Sequence, residues 1–283
     1  MDLFPRWTAV LHLDATVEGR DLPIGAAPQV YRDAIEEIAR DASVRGALVT
    51  THKVDVFRHA GDLFDDLDVN ARLCREVSSI SKRAGRLIGH AKDPITAGKS
   101  MERIFAGRRP PRHVLCLGAG GAGTAISVYL LRHADPPERI VMVDRDPRRI
   151  EDLRTIHGDL DIDSAVEYVV QGNPAENDAL LVDLSEESLV INATGMGKDT
   201  PGSPLAGGRS IPARSIVWEL NYRGELDFLR QARAQSKGRD LEIHDGWIYF
   251  LHGWSEVIAE VFDIVRAAER FEELMDAAEP LRP

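Results

Sequence analysis

In the stretch Gly118-Ala-Gly-Gly-Ala-Gly123, three glycines fall at the spacing of a loop that can wrap a pyrophosphate. Gly118 permits a tight turn, Gly120 lets the backbone approach an anion, and Gly123 lets a helix pack closely on a strand. The flanking residues supply the elements that such a loop needs. His113-Val-Leu-Cys-Leu117 reads as a strand, the residues up to His133 read as a helix, and Arg139-Ile-Val-Met-Val-Asp144 reads as a second strand ending in an acid. An anion would sit at the start of the helix, where free N–H groups and the helix dipole favour negative charge. Asp144 follows the last glycine at about the ~20-residue spacing expected of the acid that holds adenosine ribose hydroxyls. The pattern predicts a dinucleotide site at Gly118, Gly120, Gly121, Ala122, Gly123 and Asp144.

Composition narrows the partners. A chain of 283 residues favours two domains over one. A net charge of −11 argues against a nucleic-acid backbone or an anionic membrane, and so for a small-molecule partner. Cys74 and Cys116 are the two cysteines and have no paired spacing, so neither a disulfide framework nor a cysteine metal cluster is expected. His52, His59 and His90 are not spaced as a ligand set, and no metal is expected. No long apolar run and no basic-then-apolar leader is present, which predicts a cytoplasmic protein. A monomer or homodimer is expected.

The first hundred residues read as a separate α/β unit. Trp7-Thr-Ala-Val-Leu-His-Leu13 is expected as a strand, Pro28 to Asp41 as a helix, and Gly46-Ala-Leu-Val-Thr50 as a buried strand whose end, Thr50-Thr-His-Lys53, faces a crevice. A mostly helical stretch to Cys74 follows, then extended pieces at Glu76–Ile80 and Arg86–Gly89 around the turn Lys82-Arg-Ala-Gly85. Asp93-Pro94 is the N-cap and first turn of a helix to about Phe105. Beyond Asp144, a helix opens at Asp146-Pro147, Ala165–Val170 is a strand, Asn173–Leu184 a helix, and Ser188–Asn192 and Ser215–Trp218 are strands. Apolar residues at 251, 254, 258, 261, 265 and 268 predict one continuous helix from about Ile248 to Leu274. The fold class expected is α/β with two domains. A Rossmann-type, doubly wound parallel sheet spans 99–246, and an N-terminal α/β substrate domain, 1–98, is completed by the last helix, 247–283.

Several motifs now align with one family. Gly46-Ala-Leu-Val-Thr-Thr-His-Lys53 resembles the strand-and-lysine motif of shikimate and quinate dehydrogenases, and Gly85-Arg-Leu-Ile-Gly-His-Ala-Lys-Asp93 resembles the segment bearing their conserved aspartate. Gly118–Gly123 is similar to their cofactor loop, Ile191-Asn-Ala-Thr-Gly-Met-Gly197 to their Asn-Ala-Thr motif, Glu219-Leu-Asn-Tyr222 to their Asp-x-x-Tyr, and Gly246 to the glycine near their nicotinamide. The motifs occur in the family's order, from about residue 45 to 265.

The resemblance implies an NAD(P)-dependent oxidoreductase that interconverts a ring alcohol and a ketone in a cleft between domains. It places Lys53 and Asp93 as the catalytic pair. Alcohol oxidation needs a group to take the hydroxyl proton, and a lysine with a neighbouring carboxylate suits that task. Without the resemblance, Lys53 reads as a surface lysine and Asp93 as a helix cap. It also implies that Asn192, Thr194, Leu220 and Gly246 line the cofactor, and that Thr50 or Thr51, Ser78, Tyr222 and His252 line the substrate.

Departures from the family are equally informative. Leu13-Asp-Ala-Thr-Val-Glu-Gly-Arg20 holds no serine in place of the pair that grips the shikimate carboxylate. Ser78 stands where the family has an asparagine, Ala91-Lys92 where it has Asn-Thr, and His252 is the nearest polar residue to its missing glutamine. The expected substrate is therefore a polyhydroxylated ring, a cyclitol or a modified shikimate or quinate relative. Asp144-Arg145-Asp146 favours NAD, because Asp144 accepts from ribose hydroxyls and repels a phosphate, while Arg145, Arg148 and Arg149 keep NADP as the alternative. A catalytically silent nucleotide or metabolite sensor is the second reading. A third keeps the layout with other chemistry, as in folate dehydrogenases or glutamyl-tRNA reductase; the latter needs a reactive cysteine.

Overall fold

The computed structural model describes residues 2–160, 164–264 and 267–283, with only the backbone described at 267 and 268. It forms two compact units, one of residues up to Lys92 together with Leu251–Pro283, the other of Asp93–Phe250.

The first unit opens with helix α1 (Leu3–Leu11), which corrects the strand expected at Trp7–Leu13. A short apolar run fits either state, and the deciding residues lie upstream: Leu3, Phe4, Trp7 and Thr8 share one buried face at helical spacing. His12 ends the helix in the left-handed region at φ 56°, and the Leu13 N–H closes on the Thr8 carbonyl at 2.9 Å. Helix α2 (Pro28–Arg40) buries Tyr31, Ala34 and Ile35 as its spacing requires. Strand β1 (Gly46–Leu48), helix α3 (Lys53–Ala60), the two-residue strand β2 (Asp66–Leu67) and helix α4 (Val69–Cys74) follow. Asp68 caps α4, its Oδ1 accepting from the Ala71 N–H at 2.6 Å.

Strands β3 (Ser79–Arg83) and β4 (Arg86–His90) form a hairpin turned by Ala84 and Gly85, both at positive φ. β3 starts three residues later than the expected Glu76, because the Val77 N–H is taken by the Lys53 carbonyl instead of a strand partner. The sheet order is β1-β3-β4-β2, with β2 parallel to β4 and the other pairs antiparallel.

The second unit begins with helix α5 (Asp93–Phe105), which packs on helix α6 (Gly121–Leu131) so tightly that a Cβ at Gly98 would lie 2.6 Å from the Tyr129 ring. Strands β5 (His113–Leu117), β6 (Arg139–Asp144), β7 (Ala165–Val170), β8 (Leu189–Asn192), β9 (Ile216–Glu219) and β10 (Glu242–His244) alternate with α6, α7 (Pro147–Gly158), α8 (Pro174–Leu180) and α9 (Asp227–Arg239). All six strands are parallel, in the order β10-β9-β8-β5-β6-β7. The order reverses between β5 and β8, which fixes the ligand crevice beyond their carboxyl ends. Helices cover both faces, so alternate strand residues enter different cores. Ile140 and Met142 pack with α6 and α7 residues, Val141 and Val143 with Leu181 and Phe228. That two-sided burial explains why β5 and β6 read as unbroken apolar runs.

Helix α10 (Trp247–Val261) ends well before the expected Leu274. Asp263 takes a left-handed φ of 55°, and the Ile264 N–H closes on the Ala259 carbonyl at 2.9 Å, a Schellman-type stop. Residue 265, one of the apolar positions behind that expectation, lies with residue 266 outside the described residues. Helix α11 (Phe271–Ala278) is a separate element packed on α1, where the Trp7 indole N–H donates to the Leu274 carbonyl at 2.7 Å.

Candidate cofactor and active site

The chain leaves β5 through Gly118 at φ +110°, where a Cβ would stand 2.6 Å from the Ala193 carbonyl oxygen. At Gly123 a Cβ would fall 2.0 Å from the Gly118 carbonyl oxygen, so α6 packs directly on the turn. Gly120 differs from both. It caps α6 at φ −76°, open to any residue, and a Cβ there would meet nothing nearer than an Arg149 guanidinium nitrogen at 3.8 Å. Among the described residues no atom accounts for its bare backbone, whereas a ligand lying against it would. Gly121 and Ala122 form the first turn of α6, whose N–H groups have no partners within the helix. A pyrophosphate fits this cradle in charge and in space.

Asp144 closes β6 and is buried. Its Oδ2 accepts the Ala119 N–H at 2.8 Å and its Oδ1 the Asp146 N–H at 2.9 Å, while Arg149 lies 3.6 Å from Oδ2. The acid therefore holds the glycine loop. Arg145 is exposed, and Arg148 pairs with Asp146 at 3.2 Å.

At the carboxyl ends of β8 and β9 the structure builds a polar cluster. Asn192 Nδ2 donates to Glu219 Oε2 at 2.7 Å, and Asn192 Oδ1 accepts from the Thr194 N–H and hydroxyl at 3.0 and 2.6 Å. Glu219 Oε1 accepts from the Asn221 backbone N–H at 2.8 Å and from Asn221 Nδ2 at 2.7 Å. Burial pushes the Glu219 carboxyl up to about 7, against the N–H donors from Asn221 and Asn192 and the Lys198 ammonium, which pull it down. Asn221 Nδ2 also lies 3.1 Å from the carbonyls of Thr194 and Met196. The Leu220 N–H donates to the Asn192 carbonyl at 3.1 Å. A Cβ on Gly246 would fall 1.9 Å from the Leu220 carbonyl oxygen, and the Gly246 N–H donates to the Asn221 carbonyl at 3.2 Å. Asn192, Thr194, Leu220 and Gly246 are thus brought together, through Glu219 and Asn221, for which sequence reasoning proposes no role. The signal was an acid ending an apolar strand with an asparagine two residues on. Tyr222 stacks on Phe250 at 4.2 Å, and burial raises its hydroxyl pKa.

In the first unit, Thr50 and Thr51 are exposed in the turn after β1, and Lys53 is the first residue of α3. Ser78 is buried, its Oγ accepting the Lys92 N–H at 2.7 Å. The buried Lys92 ammonium donates to Glu260, which also lies 2.7 Å from Arg83 and 3.6 Å from His90. His252 is buried and its ring lies flat on Phe271, with centroids 3.9 Å apart. Asp93, in the second unit, is the first residue of α5 and is 5% exposed.

The nucleophilic-cysteine chemistry finds no support. Burial, reinforced by the Asp144 charge, pushes the Cys116 thiol up to about 12, and Cys74 is buried too. Among the described residues no group of three or more His, Cys, Asp or Glu side chains could hold a metal ion, and no helix is long and apolar enough to cross a membrane.

No protein-family model matches the chain. It is 32% identical over 213 residues to a shikimate dehydrogenase (NADP(+)) of Salinibacter ruber, covering 74% of this chain and 70% of that protein. It is 31% identical over 196 residues to a shikimate dehydrogenase (NADP(+)) of Symbiobacterium thermophilum, covering 66% of this chain and 64% of that protein, just under two thirds of its length. Solved structures with a similar fold include shikimate dehydrogenase from Aquifex aeolicus, with a TM-score of 0.72 at 20% identity over 95% of this chain and 90% of that one. Quinate dehydrogenase from Corynebacterium glutamicum in complex with NAD gives 0.66 at 21%, over 93% and 85%. Ligand-free 5-ketofructose reductase of a Gluconobacter strain gives 0.65 at 20%, over 97% and 92%.

Proposed function

The chain belongs to the shikimate dehydrogenase family of NAD(P)-dependent oxidoreductases, and we propose that it interconverts a ring alcohol and its ketone with NAD. The observation that carries this reading is Gly120, a backbone left bare at a helix N-terminus with no atom among the described residues to explain it. Gly118 to Gly123 hold the pyrophosphate, Asp144 and Arg145 the adenosine ribose, and Asn192, Thr194, Leu220 and Gly246 the nicotinamide end. The bound cofactor supplies the hydride acceptor. Lys53 takes the hydroxyl proton as the hydride leaves, and Asp93 orients that hydroxyl and shares the proton.

Two features support NAD over NADP. Asp144 is a buried carboxylate followed by a second acid, Asp146, and both repel a ribose phosphate. Two of the three arginines that would offset them are already engaged, Arg148 with Asp146 and Arg149 with Asp144. The substrate is a polyol without the shikimate carboxylate, a cyclitol or a modified shikimate or quinate relative. The absence of serine from residues 13–20 supports this, as does the fold shared with a protein named for a keto sugar. The substrate residues of this reading are Tyr222, one of Thr50 and Thr51, Ser78 and His252.

Calorimetric titration with NAD and with NADP tests the cofactor, and a screen of ring polyols by NADH absorbance, with Lys53→Ala as the inactive control, tests the chemistry. Absence of NAD binding at millimolar concentration overturns the proposal. Tight binding with no turnover of any polyol moves the reading to a nucleotide sensor.

A further inference from the structure

Three N–H donors converge on the Glu219 carboxylate, two on Oε1 and one on Oε2, each within 2.8 Å. Ionised, the carboxylate accepts all three in charge-assisted bonds; protonated, it accepts them only as a weaker, neutral partner and adds a hydrogen on the side where the donors converge. None of the donors can be reversed. The Asn221 backbone N–H is fixed, and turning the Asn192 amide would strip Thr194 of the oxygen that accepts its N–H and hydroxyl. Asn221 carries the connection further, to the carbonyls of Thr194 and Met196 on one side and to Gly246 on the other. Glu219 itself is fully buried.

We propose that Glu219 is a positioning residue for the dinucleotide. As an anion it locks the segments 192–197, 219–222 and 246 into one rim at the carboxyl ends of β8 and β9, and its protonation releases that rim and weakens NAD binding. The inference rests on the proposed cofactor and adds a pH-controlled hinge point to it. The charged group that acts on Glu219 is Lys198, itself paired with Asp199 at 3.1 Å; Asp245, which follows β10, accepts the Trp247 N–H. From β10, His244 is bonded to Glu242 at 2.8 Å. β8 contributes only the neutral Asn192. The position of the titration follows from burial, which carries the Glu219 carboxyl up to about 7, so the rim is locked above neutral pH and loosened below it.

The test is calorimetric titration of the full chain with NAD from pH 5.5 to 8.5, in wild type, Glu219→Gln and His244→Gln. In wild type the Kd rises at least fivefold as the pH falls across that range. Glu219→Gln, in which one amide hydrogen must always face a donor, binds about tenfold more weakly at pH 8.5 and shows no pH dependence, while His244→Gln keeps the wild-type profile. A wild-type Kd that is flat with pH, a Glu219→Gln protein with wild-type affinity and profile, or loss of the profile in His244→Gln overturns the proposal. Should Glu219→Gln not fold, the wild-type and His244→Gln profiles decide between these outcomes. Wild-type protein that binds no NAD at any pH overturns the proposed function instead.

Discussion

Asp144 and Ala119 are joined by a 2.8 Å hydrogen bond from the Ala119 N–H to the buried carboxylate, so the acid at the end of β6 is a structural member of the glycine loop that leaves β5. A residue that only met a ribose could be removed without cost to the fold. Here Asp144→Ala strands two backbone donors, and the expected loss of stability is about 1.5–3 kcal/mol, the usual worth of hydrogen bonds to a charged group. Urea unfolding measures it, and calorimetry is expected to show NAD affinity falling at least about tenfold in the same variant. An unchanged unfolding midpoint would show the two bonds to be dispensable.

The glycines of the loop separate by mechanism. Gly120→Ala places its methyl in open space, so stability is expected to hold within about 1 kcal/mol while NAD binding weakens at least about tenfold. Gly123→Ala drives a methyl to 2.0 Å from the Gly118 carbonyl oxygen and is expected to cost about 3 kcal/mol or more. Thermal unfolding and NAD titration of both variants check the contrast; equal behaviour would refute it.

Asp93→Asn removes the carboxylate proposed to share the hydroxyl proton and keeps the shape of the first turn of α5. The expected outcome is a fall in kcat of about 10²–10⁴ with the NAD Kd within about twofold of wild type, measured by steady-state kinetics and calorimetry. Loss of NAD affinity equal to the loss of kcat would assign Asp93 to the fold.

His157 is buried in the second unit between the Ser127 hydroxyl at 2.9 Å and the Tyr168 hydroxyl at 2.8 Å. Desolvation holds its pKa down to about 4, below the 6.5 of the unfolded chain. Because the folded value is the lower one, the unfolded state binds more protons between these limits. Stability is full above about 6.5 and declines as the pH falls towards 4, by about 2 kcal/mol at pH 4.5. Urea midpoints at pH 7 and 4.5 in wild type and His157→Gln measure the difference, which is expected to shrink by that amount in the variant.

The buried Lys92 ammonium is held by Glu260. Glu260→Ala leaves that charge buried without the carboxylate and is expected to cost about 3 kcal/mol, whereas Lys92→Met with Glu260→Met recovers part of the loss by packing apolar groups together. A double variant no more stable than Glu260→Ala would contradict this account.

Local chemistry made the glycine loop legible. Gly118, Gly120, Gly123 and Asp144 act within one strand–turn–helix–strand unit, and the parallel order of β5 to β9 follows from alternating apolar and amphipathic segments. Elements decided by distant partners were harder to read. Trp7 sits in a helix because Leu3 and Phe4 complete its face and Leu274 receives its indole, and the apolar run alone contains none of that. The stop after Val261 is written in the backbone at Asp263, an ordinary residue in a left-handed conformation, with no glycine or proline to announce it. Glu219 was hidden for a related reason: its role depends on Asn192, 27 residues earlier, being hydrogen-bonded across the β8–β9 pair.

The bond from Trp7 to Leu274 spans 267 residues, and it sets an order of events during synthesis. Residues 93–250 hold all the partners of the parallel sheet and can fold as soon as they clear the ribosome. The first unit cannot close its core at that stage, because Trp7, Gly46 and Lys92 await Leu274, Val261 and Glu260. Its N-terminal portion therefore passes through translation with a tryptophan and a buried-to-be lysine still in water, the interval in which a nascent-chain chaperone would find most to bind.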